Sequence, residues 1–375
     1  MKIGRVDATG LRVSVPFRDF GIDRTVALNV CHVEVETDDG LVGCGFTAIV
    51  EGEVVAHIVN AVAGPLILGE DPMANERIWE RLYWKMSPRG QTGYASHAIA
   101  AIDIALWDIK GKYLNQPVWR LLGGARNRVQ TYATFGFPVF DREQLADAAR
   151  TWRSNGHRRL KMVVANEALP NRDAVRPVDD VIREDAMRVR AVREAVGEDV
   201  DLFIDANCRL DPFQARKLAK MVEDCGVTFF EEPITHNDVR QLAKLRQSTD
   251  IPLAAGQNEG LAWRFRDMLV HEAVDCLQPN VAIGGGFTQC VKIAGMAAAF
   301  NVPICNGGAW MHHNMHLHAG VANGTMVEHH HVATEICKQM YRDLPEPVDG
   351  WLTLPETPGL GFAPDPDAIR ELPRT

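Results

Sequence analysis

The chain has 375 residues, more than one small domain needs, and its 46% hydrophobic and 24% charged content is ordinary for a soluble globular protein. A formal net charge of −9 and a pI near 5.8 exclude the basic footprint of a nucleic-acid or anionic-membrane binder. No uncharged apolar run approaches the ~20 residues that span a bilayer, and the charged N-terminus does not read as a signal peptide. Eight cysteines without a C-x-x-C pair read as reduced thiols of a cytoplasmic protein.

Residues 1 to about 50 alternate in the manner of strands, with Asp38-Asp39-Gly40 as a hairpin signal between Leu28–Thr37 and Leu41–Phe46. The preceding segment from Val15 to Arg24 reads as a loop whose Arg18 and Arg24 can meet an anionic ligand. From Glu51 to Leu122 the period becomes helical. Ala98–Lys110 is apolar almost all round, as a buried helix is. A hairpin followed by helices makes an α+β unit over residues 1–124, with Gly123-Gly124 as its boundary.

Strands and helices then alternate, as in a (β/α)8 barrel, which takes about 30 residues per unit. The first strand is Val129–Phe135 and the second Arg159–Val164. Lys161 in the second is costly to bury unless acids pair with it, so it is a candidate general base or one half of a salt bridge. The segment 165–180 is longer than the usual βα loop of about two to six residues, and is expected to shape a pocket. Three further apolar runs end on Asp205-Ala206-Asn207, on Glu231-Glu232-Pro233, and on Gly256-Gln257-Asn258-Glu259. Asp205 to Glu231 and Glu231 to Gln257 are both 26 residues apart (231 − 205 and 257 − 231), one βα step each. Oxygen-bearing side chains at consecutive strand ends suit a hard dication such as Mg2+, with Gln257 or Glu259 as the third ligand.

The sixth run ends on Gln278-Pro279-Asn280, and Val302–Asn306 is expected to be the seventh strand. His312, His313, His316 and His318 follow. His312 and His316 have the spacing of a metal pair, but no third nitrogen or thiolate ligand follows for zinc. One of His312 and His313 is the candidate acid/base. The other histidines are expected in packing or in contacts of a homo-oligomer, and His329–His331 on the surface. The barrel is assigned to 125–335 and a segment packing back on the first unit to 336–375. The fold class is thus α/β: a modified (β/α)8 TIM barrel with an α+β capping domain built from the N-terminal part plus the C-terminal segment.

With these stretches in order, the chain resembles the enolase superfamily in its mandelate racemase-like branch. The motifs are Ala105–Lys112, Leu121–Gly124, Asp205–Asn207, Glu231–Pro233, Gly256–Glu259, Gln278–Asn280 and Pro358–Gly361. The resemblance implies Mg2+ and removal of the proton α to a carboxylate. Asp205 and Glu231 match its first two metal ligands, while Gln257 replaces the usual third Glu, with Glu259 two residues on. Val163 stands where the family carries the second lysine of Lys-x-Lys. Asn280 replaces an orienting Asp, and Asn306-Gly307 falls at a His position. Asn207, Asn280, Asn306, Arg18 and Arg24 are the expected substrate contacts. The expected activity is a sugar-acid dehydratase giving a 2-keto-3-deoxy acid. The competing readings are a racemase or epimerase, or a barrel that binds a carboxylate without turnover.

Overall fold

The computed structural model describes residues 1–17, 23–87, 92–169 and 177–375, so Arg18 and residues 170–176 lie outside the described residues. Strands β1 (Ile3–Phe17), β2 (Arg24–Thr37) and β3 (Val42–Ala48) form an antiparallel sheet, turned between β2 and β3 at Asp38–Gly40. One face of it rests on the helix Tyr94–Tyr113, which is buried over most of its length. Glycine allows the approach: a Cβ at Gly45 would stand 1.8 Å from the Ala101 carbonyl oxygen, and one at Gly43 2.2 Å from that of Ala105.

The same helix joins this unit to the barrel. Asp103 is fully buried and accepts from both the backbone N–H and the hydroxyl of Thr288, in the first turn of the helix Gly286–Ala299. Burial pushes its carboxyl up to about 7 despite those bonds. Asp108 accepts from the backbone of Cys44 and of Leu360, tying the C-terminal segment to the capping sheet. That segment also bonds at the capping edge, Arg12 N–H to Pro373 O, while Trp351–Thr353 pairs antiparallel with the first barrel strand.

The barrel strands are β4 (Arg128–Gly136), β5 (Arg159–Val163), β6 (Asp201–Asp205), β7 (Val227–Glu231), β8 (Leu253–Ala255), β9 (Cys276–Leu277) and β10 (Met326–His330). They pair in parallel from β4 through β9, and β10 pairs in parallel with β4. Capping boxes start two of the intervening helices, Asp141 with Gln144 and Asp211 with Gln214.

Two sequence expectations change here. The seventh strand, expected over Val302–Asn306, is reduced to single bridges from Ile304 to Leu277 and to Gly324. Pro303 offers no N–H, and the backbone turns away at Gly307-Gly308. The stretch expected as a surface histidine run instead belongs to the eighth strand, with His329 against Trp152 of an outer helix and His330 against Phe137. Three polar residues in a five-residue strand hide its apolar signal.

Candidate active site

The carboxylates gather at the C-terminal mouth of the barrel because Asp205 and Glu231 are register partners at the ends of β6 and β7. Beneath them Tyr132, Phe203, Phe229, Ala254 and Cys305 fill the barrel interior. Lys161 rises from β5 over this apolar floor, its Nζ 5.3 Å from the centre of the Tyr132 ring. It is 1% exposed, so its charge must be met by protein. Nζ donates to Glu231 Oε1 and Oε2 at 2.8 and 2.9 Å and to Asp205 Oδ2 at 3.3 Å. Glu328 Oε1 lies 3.0 Å away.

Burial alone would strip the proton from Lys161, but three carboxylates outweigh it and hold the ammonium well above the usual lysine range. The cost falls on Glu231, whose carboxyl is pushed well up by burial and by Asp205 beside it. Three buried acids therefore share one ammonium, and negative charge is in surplus.

Glu328 is the acid that sequence reasoning missed. It accepts from the Thr134 hydroxyl at 2.5 Å and from the Ala309 N–H at 2.6 Å. The second bond depends on a turn in which Gly308, Ala309 and Trp310 all have positive φ, an unfavourable backbone for the last two. Burial opposes its charge, but Lys161, His330 and these donors hold the Glu328 carboxyl below its usual range. Its signal in the sequence is an acid one further βα step beyond Asn306.

Of the two candidates for a third ligand, Gln257 is brought to the acids and Glu259 is not. Gln257 Nε2 lies 3.3 Å from Asp205 Oδ2 and 3.3 Å from Glu232 Oε2. Glu259 is held by Arg264 at 2.9 Å and by Asn237 at 3.1 Å. Glu232, also missed, anchors the Gln257 loop by accepting from the backbone and side chain of Asn258.

The expected histidine acids lie elsewhere. His312 Nε2 donates to Pro345 O, 3.1 Å away, and His313 stacks on Phe46 with ring centres 4.8 Å apart. Both sit on the buried helix Met311–Gly320, facing the capping sheet and the C-terminal segment, and burial keeps both rings neutral. Their close spacing reflects a helix buried all round. The amides Asn280 and Asn306 are likewise spent on the fold. Asn280 donates to Gly307 O and Gly308 O and accepts from Ala282 and Asn314. Asn306 accepts from Glu328 N–H and donates to Gly307 O. Asn207 is exposed at the rim, its N–H on Asp205 Oδ1. Exposed Arg24 lines a cavity of about 300 Å3 with Phe17, Phe137 and His330.

Among the described residues no three His, Cys, Asp or Glu side chains are already set as metal ligands, since Lys161 stands among the acids. The donor set itself, hard oxygens with surplus negative charge, fits a hard dication.

Comparison with known proteins gives the family. Residues 19–123 match the N-terminal domain of the mandelate racemase / muconate lactonizing enzyme family, and 144–368 match the enolase C-terminal domain-like family. The chain belongs to the enolase superfamily, in its mandelate racemase/muconate lactonizing enzyme branch. It is 30% identical to the arabinonate dehydratase of Saccharolobus solfataricus over 342 residues, covering 89% of this chain and 88% of that one. It is 32% identical to the D-galactonate dehydratase of Xanthomonas euvesicatoria pv. vesicatoria over 357 residues, covering 90% and 89%. A racemase from Streptomyces coelicolor A3(2), crystallised with bound magnesium, superposes with a TM-score of 0.88 at 27% identity over 99% of both chains. The chain is thus a sugar-acid dehydratase-like member of the superfamily. Among the described residues no helix is long and apolar enough to cross a membrane.

Proposed function

We propose that this enzyme superfamily member is a Mg2+-dependent dehydratase of an aldonate or aldarate, giving a 2-keto-3-deoxy acid. The observation that carries the reading is the cluster of Asp205, Glu231 and Glu328 around Lys161, with Gln257 at its edge. Asp205, Glu231 and Gln257 would hold the ion, Gln257 through its amide oxygen after a flip of the side-chain amide. When bound, Mg2+ offsets negative charge on the substrate carboxylate as its α-proton leaves.

The rest is done by this chain's residues. Lys161 holds a proton at Nζ over an apolar floor, where it can pass to a substrate atom. Glu328, fixed by Thr134 and Ala309, keeps Lys161 in place. The relatives named as dehydratases of arabinonate and galactonate support the substrate class. The test is a panel of acid sugars with and without Mg2+, with 2-keto product captured by semicarbazide. Mg2+-dependent product from an aldonate or aldarate is expected; solvent-deuterium exchange without loss of water would turn the assignment to a racemase or epimerase.

Val163 favours one second reading. It is the register partner of Asp205 and brings no proton carrier to the position. A barrel that binds a sugar acid without turning it over would show saturable binding and no product from the whole panel.

A further inference from the structure

The mechanism as described leaves a half-buried titratable side chain at the barrel mouth unused. On β10, Glu328 and His330 share the inward face by the two-residue period of a strand, while His329 points outward to Trp152. His330 is paired in register with Thr134, the donor to Glu328. It lines the 300 Å3 cavity beside β4 and the capping sheet, whose lining is otherwise apolar apart from Arg24. The ring packs on Phe137 with centres 5.3 Å apart.

The tautomer of this ring is set by the chain. His330 is the N-cap of the helix His331–Met340, and its Nδ1 accepts from the backbone N–H of Ala333 at 3.4 Å. A nitrogen that accepts carries no proton, so in the neutral ring the proton is assigned to Nε2. Strand position, cap and cavity together leave Nε2–H as the ring's free donor.

We propose that His330 is a fixed-tautomer hydrogen-bond donor that offers Nε2–H to an oxygen of the acid bound at the barrel mouth. This rests on the acid-binding reading above and adds to it the donor that His312 and His313 do not supply. The ring acts neutral. Burial lowers its pKa, Lys161 and His331 lower it further, and Glu328 and Asp205 oppose them. A donor in a largely apolar wall is worth more than one in solvent, and its effect is largest where charge develops on the accepting oxygen.

The test pairs two substitutions that separate cap from donor. His330→Asn keeps an acceptor for Ala333 N–H but has no donor at the Nε2 position; His330→Gln places an amide N–H there and loses the cap. On the acid of the panel turned over fastest, His330→Asn is expected to lose about a hundredfold in kcat with an unchanged Tm. His330→Gln is expected to regain at least tenfold of that with a lowered Tm. Equal activity of wild type and His330→Asn, or a loss that follows Tm rather than the donor, overturns the proposal. Nitrogen-15 NMR of the histidine ring reads it without turnover. A neutral Nε2–H ring from pH 5.5 to 8, whose Nε2 signal moves on addition of D-galactonate with Mg2+, supports it. A ring that titrates near pH 6.5, or a signal indifferent to bound D-galactonate, overturns it. If no acid is consumed but that signal moves, dehydration fails while the donor role stands.

Discussion

Lys161 Nζ holds both carboxylate oxygens of Glu231, at 2.8 and 2.9 Å, although the whole of β6 separates their strands. One ammonium thus spans three strands, through Asp205 on the middle one, and reaches Glu328 on the far side of β4. Its removal would leave like charges facing one another with no solvent between them. Lys161→Met should cost about 3–5 kcal/mol, the range for breaking a buried pair. Urea unfolding measures this, and a loss under about 1 kcal/mol would show that the acids are neutral in the native state.

Asp205→Asn and Glu231→Gln should act in the opposite sense on stability, because each relieves the repulsion between the two acids that pushes the Glu231 carboxyl well up. Both variants should fold with a Tm at or above that of the parent and should abolish product formation. A ligand that binds only the native state raises Tm by mass action. The rise that Mg2+ gives the parent should therefore vanish in both variants; calorimetric scans with and without the ion decide this.

Gln257 and Glu259 differ in their present engagements, which gives a direct comparison. Gln257→Glu should tighten Mg2+ by about tenfold or more, equal to about 1.4 kcal/mol, since a full charge replaces an amide dipole next to Asp205. Glu259→Gln should leave the affinity unchanged, because Arg264 and Asn237 already hold that carboxylate. Isothermal titration of the two variants tests both statements.

The histidines of the capping interface predict an acid limit to stability. Burial lowers His97 and His312 to about 4 and His316 and His318 to about 3, against 6.5 unfolded. In the window between, the unfolded chain binds more protons, so stability is full above pH 6.5 and falls as pH drops toward 3–4. Each such ring contributes a slope of up to about 1.4 kcal/mol per pH unit. Asp103, with its carboxyl raised to about 7, slopes the other way: its penalty grows as pH rises from about 4 to 7. His316→Gln should flatten the acid limb of ΔG against pH, and Asp103→Asn the neutral one; urea titrations at stepped pH read both.

The close passage of β3 over its helix gives a purely steric test. Gly45→Ala places a methyl group 1.8 Å from a carbonyl oxygen, so helix or strand must move. A cost of about 1–3 kcal/mol or more is expected from thermal or urea unfolding, as for other overpacked cores.

The strand ends that carry Asp205 and Glu231 were legible because buried parallel strands are uninterrupted apolar runs with an abrupt polar stop. Lys161 was legible as an anomaly within such a run. Glu328 and His330 were not, since β10 reads Met-Val-Glu-His-His and these two polar residues face the site that justifies them, while His329 faces Trp152. The histidines after the seventh strand misled for a related reason. A polar residue type dense on one helix suggests chemistry, yet His312, His313 and His316 are buried by Phe46, Pro345 and Leu360. Asn280 and Asn306 similarly look like substrate contacts until their hydrogen bonds are counted against Gly307, Gly308 and Glu328.

The barrel wall is stitched unevenly. From β4 to β7 the ladders are long, whereas β8 has three residues, β9 two, and Ile304 stands alone beside them. Segments with few inter-strand bonds open at lower free energy than the rest, so local breathing begins on that side. Asp205 and Glu231 ride on the firm side, while Gln257 follows β8 on the slack one. Two members of the trio ride on long ladders and the third on a short one, its loop tied to Glu232 through Asn258, so adjustment to ligands of different size falls to Gln257.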